Sequence, residues 1–428
     1  TTGASNVAVG HQSLDANTTA ANNTAVGYAS LGANTTGEQN VALGAFALDA
    51  NTTASNNTAV GFNALGANTG GTQNSSVGSQ SLVANTTGDY NSALGQNALV
   101  SNTTGNQNTA VGAYALTTNI SSHTSTAVGY QAGQNSTATA TTAVGYRAGA
   151  SISSGAANAA FGAAVMSGGA VTGDYNTGVG NDALQVNTSG TWNFAGGKNA
   201  LFVNTTGSYN TAVGGQALDA NTTASNNTAV GYSALTANTT GTANIAMGAQ
   251  ALGFNSTGTY NSAVGYRALN TNSTGTYNTA MGYEALGLST TASGNAAFGI
   301  YAAHNTTTGV GNAAFGGAEI GVTNATLFSN TTGSYNTAMG SASLSSNTTA
   351  NYNTGVGFQA GFVNQTGTNN TSIGYKAAYN NTVSNNTAVG YSALIANTTG
   401  AGLVAVGTNA LDANTTASNN VGIGLNAA

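Results

Sequence analysis

The sequence contains no cysteine and no proline among its 428 residues. Without cysteine the chain can form no disulfide and carry out no thiolate chemistry. Proline would remove a backbone donor from a β-ladder, so its absence suits a chain in which every backbone N–H is needed. The two absences exclude a disulfide scaffold and permit uninterrupted strand stacking.

Charge is also scarce, with four Lys or Arg and ten Asp or Glu, or 3% charged residues, against roughly 25% in typical soluble domains. Binding to nucleic-acid phosphates needs clustered basic side chains, which this chain lacks. No run approaches about 18 apolar residues, so we expect no membrane span. The chain opens at Thr1 in mid-repeat, and we expect a mature product or part of a longer protein.

What the sequence has in abundance is repetition. A unit close to N-T-A-V-G-Y-x-A-L-x-A-N-T-T-G-x-x recurs about twenty-five times, and its glycine returns every seventeen residues. Such a period predicts a solenoid in which each unit is one coil. Low complexity is otherwise typical of disorder, but a disordered chain has no reason to keep a strict phase. The structural glycines include Gly10, Gly27, Gly44, Gly61, Gly78, Gly95 and Gly112.

Positions in a coil are numbered from this glycine, 0 to +13, followed by −3, −2 and −1 before the next glycine. Two extended segments are expected per coil, around T-A-V-G-Y and x-A-L-x-A, joined by the N-T-T-G turn. Valine or leucine at −1 and leucine at +4 are expected to fill the core with alanine. Frequent glycine and β-branched residues argue against a helix.

The predicted fold is therefore all-β: one continuous parallel β-solenoid over 1–428, with about 25 coils. At about 4.8 Å per coil it would be a rod roughly 120 Å long. The residue at −2 is always small, which suits either close approach of another backbone or a narrow interior. An irregular coil is expected around 317–339, where glycines 316 and 340 are further apart; the extra residues form either a surface loop or a harmless bulge.

Chemistry of the catalytic kind is not expected. His11, His123 and His304 occupy different coil positions far apart along the chain. The acidic residues are mostly separated by whole coils, at +2, +5 and +11, where charged side chains must face water. We therefore expect no enzyme, no metal site and no cofactor.

Asparagine at +7 gives the strongest chemical signal, because it begins an N-x-[ST] sequon in many coils. The alternative is structural: asparagines at +7 and +13 could form amide ladders along the solenoid. We expect a ladder at +13 and leave both interpretations open at +7. The possible N-glycan acceptors are Asn17, Asn34, Asn51, Asn85, Asn102, Asn204, Asn221, Asn238 and Asn397.

Aromatic residues recur at +1, as at Tyr28, Phe62 and Tyr130. These rings could stack on sugars or contact an extracellular matrix. Packing of the rings against one another along a coil edge is the expected arrangement.

The unit N-[TSV]-A-[VLI]-G-x-x-[AS] resembles the head repeat of trimeric autotransporter adhesins, a family of left-handed parallel β-rolls. The segments 6–10, NVAVG, and 40–44, NVALG, match it closely. Similar repeats occur in phage and bacterial tail-fibre-like proteins. The resemblance implies a left-handed β-roll and a homotrimer, although these coils are longer than is common in the family.

The expected function is that of an extracellular or cell-surface fibre, structural or adhesive, with a host-surface, matrix or glycan ligand. The shaft of a phage-like tail fibre, on a virion, is one alternative, and an ice-binding solenoid is another. Self-association as a homotrimer or a head-to-tail filament is expected, because neither end carries the polar capping coil of a solitary solenoid.

Overall fold

The computed structural model describes residues 2–318 and 324–428. In these residues it is all-β, with 25 short parallel strands that form a β-solenoid of roughly 17-residue period and with no helix. Contacts divide the chain into two compact units, Thr1–Asn210 and Thr211–Ala428. The predicted fold class is confirmed. One continuous domain over 1–428 and the left-handed coil stay predictions.

Every strand is three residues long, because only positions −3 to −1 are extended. The first unit contains β1 (Val7–Val9), β2 (Thr24–Val26), β3 (Val41–Leu43), β4 (Thr58–Val60), β5 (Ser75–Val77), β6 (Ser92–Leu94), β7 (Thr109–Val111), β8 (Thr126–Val128), β9 (Thr142–Val144), β10 (Ala159–Phe161), β11 (Thr177–Val179) and β12 (Phe194–Gly196). The second contains β13 (Thr211–Val213), β14 (Thr228–Val230), β15 (Ile245–Met247), β16 (Ser262–Val264), β17 (Thr279–Met281), β18 (Ala296–Phe298), β19 (Ala313–Phe315), β20 (Thr337–Met339), β21 (Thr354–Val356), β22 (Thr371–Ile373), β23 (Thr387–Val389), β24 (Val404–Val406) and β25 (Val421–Ile423).

Within each unit, strands of adjoining coils pair in parallel with equivalent positions opposite each other, as Ala25 is opposite Ala42. The N–H of Thr24 donates to the carbonyl of Asn40 in the next coil at 2.9 Å. The N–H of Gly27 donates to the carbonyl of Val9 in the previous coil at 2.8 Å. These bonds hold successive coils about one strand spacing, 4.8 Å, apart.

Changes in repeat length do not interrupt this pairing. The predicted insertion around 317–339 falls partly on residues 319–323, which lie outside the described residues. On either side of it, Ala314 of β19 is opposite Ala338 of β20. The eighteen-residue coil of the first unit likewise keeps Ala160 opposite Gly178. The register of the strands on either side is therefore unchanged by the difference in repeat length.

The repeat glycine is required by the backbone. Its φ lies between 110° and 139° in every coil, a region that is essentially open only to glycine. A Cβ on Gly61 would also lie 2.5 Å from the carbonyl oxygen of Gly78 in the next coil. The glycines of successive coils therefore stack directly on one another.

The expected second extended segment, x-A-L-x-A, is wrong. Residues at +2 and +4 are left-handed, with φ of 52° at Ala29 and 50° at Leu31. The backbone N–H of Ala29 donates to the carbonyl of His11 in the previous coil at 3.0 Å. The backbone N–H of Leu31 donates to the carbonyl of Ala47 in the next coil, also at 3.0 Å. A left-handed leucine costs about 1–2 kcal/mol, whereas full burial of its side chain returns about 1.5–3 kcal/mol. Burial and inter-coil bonding therefore outweigh the strain.

The core also differs from expectation at one position. Ala42 at −2 is completely buried, whereas Leu43 at −1 is 48% exposed. Valine and leucine at −1 were expected inside, and this is wrong, because a strand turns adjacent side chains to opposite faces. The core consists of alanine at −2, alanine at +3 and leucine at +4, as at Ala47 and Leu48. The small residues at −2 thus fit a narrow interior.

Candidate functional site

The outward side chains at −3 and −1 form a surface in each unit that we call the strand face. It combines apolar side chains at −1 with Thr or Ser at −3 in most strands, and its most exposed apolar side chains include Val9 at 57%, Leu94 at 50% and Met247 at 45%. The residue at −1 is apolar in every strand, with Gly196 the smallest. Exposed apolar side chains that line up over many coils are a common mark of an interaction surface. The strand face is therefore a candidate interaction surface.

Charge is kept away from this face. None of the described strands contains a charged residue. Arg147 and Asp412, at +2 and +5, are exposed as predicted. Asp49 and Asp219 at +5 are partly covered, and burial raises the pKa of both carboxyl groups. The described charged residues therefore lie outside the strands, on the part of the coil from 0 to +13, which we call the turn side.

The +7 asparagines form a side-chain ladder. The Nδ2 of Asn85 donates to the Oδ1 of Asn68 in the previous coil at 2.9 Å and to the carbonyl of Gly88 at 3.0 Å. Asn102 repeats the pattern, and its Nδ2 donates to the Oδ1 of Asn85 at 2.8 Å. The structural interpretation of +7 is confirmed.

The +13 asparagines form a second ladder that includes the backbone. The Oδ1 of Asn74 accepts the backbone N–H of Asn91 in the next coil at 2.9 Å. The Nδ2 of Asn91 donates to the carbonyl of Gly105 at 2.8 Å. The predicted ladder at +13 is confirmed, and each asparagine ties together successive coils.

The ladders determine whether the asparagine side chains of the sequons are accessible. N-glycosylation modifies Nδ2, the atom that donates within the +7 ladder. A sugar there would remove the donor and would need space that the interior does not have. Glycosylation therefore conflicts with this geometry and stays a hypothesis. Asn17 is half-buried, while full burial applies to Asn34, Asn51, Asn85, Asn102, Asn204, Asn221, Asn238 and Asn397.

Two rows of aromatic rings run along the coils. At +1, Tyr130 stacks on Tyr146 with centroids 5.9 Å apart, so the expected ring packing is confirmed. A second row, at +12, was not predicted, although its residues always precede the +13 asparagine. In it, Tyr175 stacks on Trp192 at 4.3 Å. Its members, each at least half exposed and left-handed, are Tyr90, Tyr175, Trp192, Tyr209, Tyr260, Tyr277, Tyr335 and Tyr352.

The histidines lie in three separate environments. His11 stacks on Tyr28, and His123 accepts the backbone N–H of Asn106 at 3.0 Å through Nδ1. His304 contacts Glu284, with Nε2 3.1 Å from Oε2. Over residues 2–318 and 324–428, no three His, Cys, Asp or Glu side chains come together as a metal site, and the same residues contain no helix long and apolar enough to cross a membrane.

Comparison of the sequence with protein-family models and with curated proteins finds no match. The geometry itself defines the class: a β-solenoid repeat protein. Its function must therefore be inferred from its surfaces.

Proposed function

We propose that the protein is a subunit of an extracellular structural and adhesive fibre, and that its coils associate side by side with copies of the same chain through the strand face. The observation that carries the proposal is the uncharged, outward-facing surface repeated in every strand from β1 to β25. A small ligand needs only a few coils. A surface repeated in every coil suits a partner that is periodic itself.

The strand face has the area that a stable association needs. The thirteen strands of the second unit, about 4.8 Å apart, span about 60 Å, and each strand is about 10 Å long. The product is a flat area of about 600 Å², which leaves out the additional surface of the projecting side chains. A standard interface buries roughly 800 Å² per partner, so one unit supplies an area of that order.

A second copy is the partner that fits this surface best. The face presents no charge pattern with which to select a charged partner. Two sheet faces pack about 10 Å apart when their side chains interdigitate. The side chains at −1, which vary in size, would interdigitate in this way. The homotrimer implied by the adhesin resemblance would bring three such faces together.

The test places charge on the strand face. The double variant Val77→Arg and Leu94→Arg alters β5 and β6, where both side chains are exposed. We expect sedimentation velocity to show a shift from oligomer to monomer, because unpaired charges would be buried in the interface. Negative-stain electron microscopy should show the loss of fibres.

The matched control puts the same two charges on the turn side, in the coils that directly follow β5 and β6. Thr87→Arg and Thr104→Arg lie at exposed +9 positions and should leave assembly unchanged. A monomeric wild-type protein, or fibres that persist in the strand-face variant, would overturn side-by-side association. Fibres that persist would instead favour head-to-tail stacking, which does not use this face.

Ice binding is a second candidate, favoured by one observation. In β7, β8 and β9 an outward threonine at −3 accompanies valine at −1, and Thr109, Thr126 and Thr142 are in register. Such an array of hydroxyl and methyl groups could match a crystal lattice. Phe161 and Phe194 interrupt the array in β10 and β12. A thermal hysteresis assay without activity would exclude this candidate.

A further inference from the structure

A cleft runs along the second unit on the side of the coils that carries positions +2 and +5. It consists of two adjoining cavities of about 140 and 110 Å³ that share Asn270. Arg267, Glu284 and His304 line the first cavity, and Gln250 lines the second. We call the two cavities together the Asn270 cleft.

Two glycines at +5 make room for the cleft. A Cβ on Gly253 would lie 3.2 Å from the Oδ1 of Asn270, and one on Gly287 would lie 2.9 Å from the Cδ2 of His304. Side chains of the next coil therefore lean over each glycine. Other coils have a larger residue at +5, such as Val83.

Asn270 is the observation that points to a ligand. Its side chain lines both cavities, the residue is only 3% exposed, and its Oδ1 has no hydrogen-bond partner. Buried polar atoms nearly always have a partner. A donor from outside the chain, such as a hydroxyl or amide N–H, would supply the missing bond.

The charges in the cleft balance each other. Nη1 of Arg267 lies 3.5 Å from Oε1 of Glu284, and Nε2 of His304 lies 3.1 Å from its Oε2. The carboxylate neutralises the guanidinium, which keeps further N–H donors free because it has five in all. The cleft therefore offers donors and acceptors to a neutral ligand.

Exposed apolar side chains stand beside these polar groups. Phe254 is 61% exposed and Leu288 43%, and they line the second and the first cavity respectively. Small-molecule sites combine apolar and aromatic walls with a few well-placed polar groups. A pyranose matches this combination, because its ring has an apolar C–H face and hydroxyl groups around the edge.

We propose that the Asn270 cleft binds a neutral saccharide, with Asn270, Arg267 and Glu284 bonding hydroxyl or acetamido groups and Phe254 and Leu288 packing on the sugar rings. The inference names a ligand for the adhesive part of the proposed function. It rests on that role but does not depend on side-by-side assembly.

The test uses the full chain and three neutral probe series: cello-, malto- and chito-oligosaccharides of two to six units. Isothermal titration calorimetry should show saturable binding of at least one series. Arg267→Gln should weaken that binding about tenfold or more, since a hydrogen bond to a charged group is lost. Asn270→Leu should abolish it by filling the shared cavity with an apolar side chain.

Arg147→Gln is the matched control, because Arg147 has the same +2 position in the first unit and is exposed; it should leave the affinity within about twofold. Far-UV circular dichroism checks that each variant keeps its fold. No binding of any series at millimolar concentration, equal loss in both arginine variants, or competition by inorganic phosphate would overturn the proposal. The strand-face variant should still bind sugar, so the two proposals can fail separately.

Discussion

The buried asparagine ladders and the strand face repeat with the same period but tolerate different variation. At +7, asparagine returns in most coils and bonds to the coil before it, as Asn102 does to Asn85. At −1, the side chain changes from Val9 to Leu43, Phe161 and Met247 without altering the register. Interior positions keep side chains of nearly constant size from coil to coil, whereas position −1 varies in size and stays apolar and uncharged.

The difference separates what holds the coil together from what is free for function. An interior side chain must span one fixed inter-coil distance, and close packing penalises any change in its size. An outward side chain meets no such limit within one chain. The property retained there is an apolar residue at −1 in every described strand, which supports the side-by-side association proposed above.

Removing an interior asparagine should give the largest effect. In Asn85→Ala the Oδ1 of Asn68 and the carbonyl of Gly88 each lose a donor, and the Nδ2 of Asn102 loses an acceptor. The loss of three buried hydrogen bonds, together with a small cavity, should cost about 3 kcal/mol of unfolding free energy. Urea denaturation measures it, with the exposed Asn135→Ala as control, expected within about 0.5 kcal/mol. Equal losses of unfolding free energy in the two variants would show that the ladder hydrogen bonds do not stabilise the fold.

The sequence predicted much of this interior. The glycine phase indicated the coil, and the absence of proline fitted a ladder that uses every N–H. The +13 ladder followed from asparagine recurring at one position. At +7 the sequon pattern offered a second interpretation, and only the burial of residues such as Asn85 distinguished the two.

The side of the strand that faces inward could not be predicted from hydrophobicity alone. Positions −2 and −1 are both apolar, and either could fill a core. A size signal was present: −2 stays small, whereas −1 ranges from glycine to phenylalanine, which a close-packed interior would not allow. The left-handed φ of Leu31 has no such signal, because leucine does not favour that region.

Two substitutions in β6 test the assignment of the strand faces. Ala93 is 3% exposed and Leu94 50%. Ala93→Val should destabilise the fold by about 1–3 kcal/mol through overpacking, whereas Leu94→Ala should cost below about 1 kcal/mol. Thermal unfolding of both variants, measured under conditions where each is monomeric, gives the comparison. If Leu94→Ala destabilised the fold more than Ala93→Val, position −1 and not position −2 would face the core.

The smallest expected effect concerns Asp219, whose side chain is neither fully buried like the asparagine ladders nor fully exposed. Burial raises the pKa of Asp219 above 3.8, and its Oδ1 is buried without a hydrogen bond. The folded state therefore binds the proton more tightly than the unfolded state. The stability this provides is complete below about pH 3.8 and is lost as the pH rises through the raised pKa.

Asp219→Asn should therefore stabilise the protein at pH 7, by less than about 1 kcal/mol because solvent screens a half-exposed carboxylate. The gain should shrink as the pH falls towards 3.8, where the aspartate becomes neutral. Asp412→Asn changes the same +5 position where it is exposed, and should show a smaller gain at pH 7. Urea midpoints of both variants between pH 3.5 and pH 7 provide the measurement. A gain for Asp219→Asn that does not depend on pH would mean that packing, and not desolvation of the charge, separates the covered from the exposed acid.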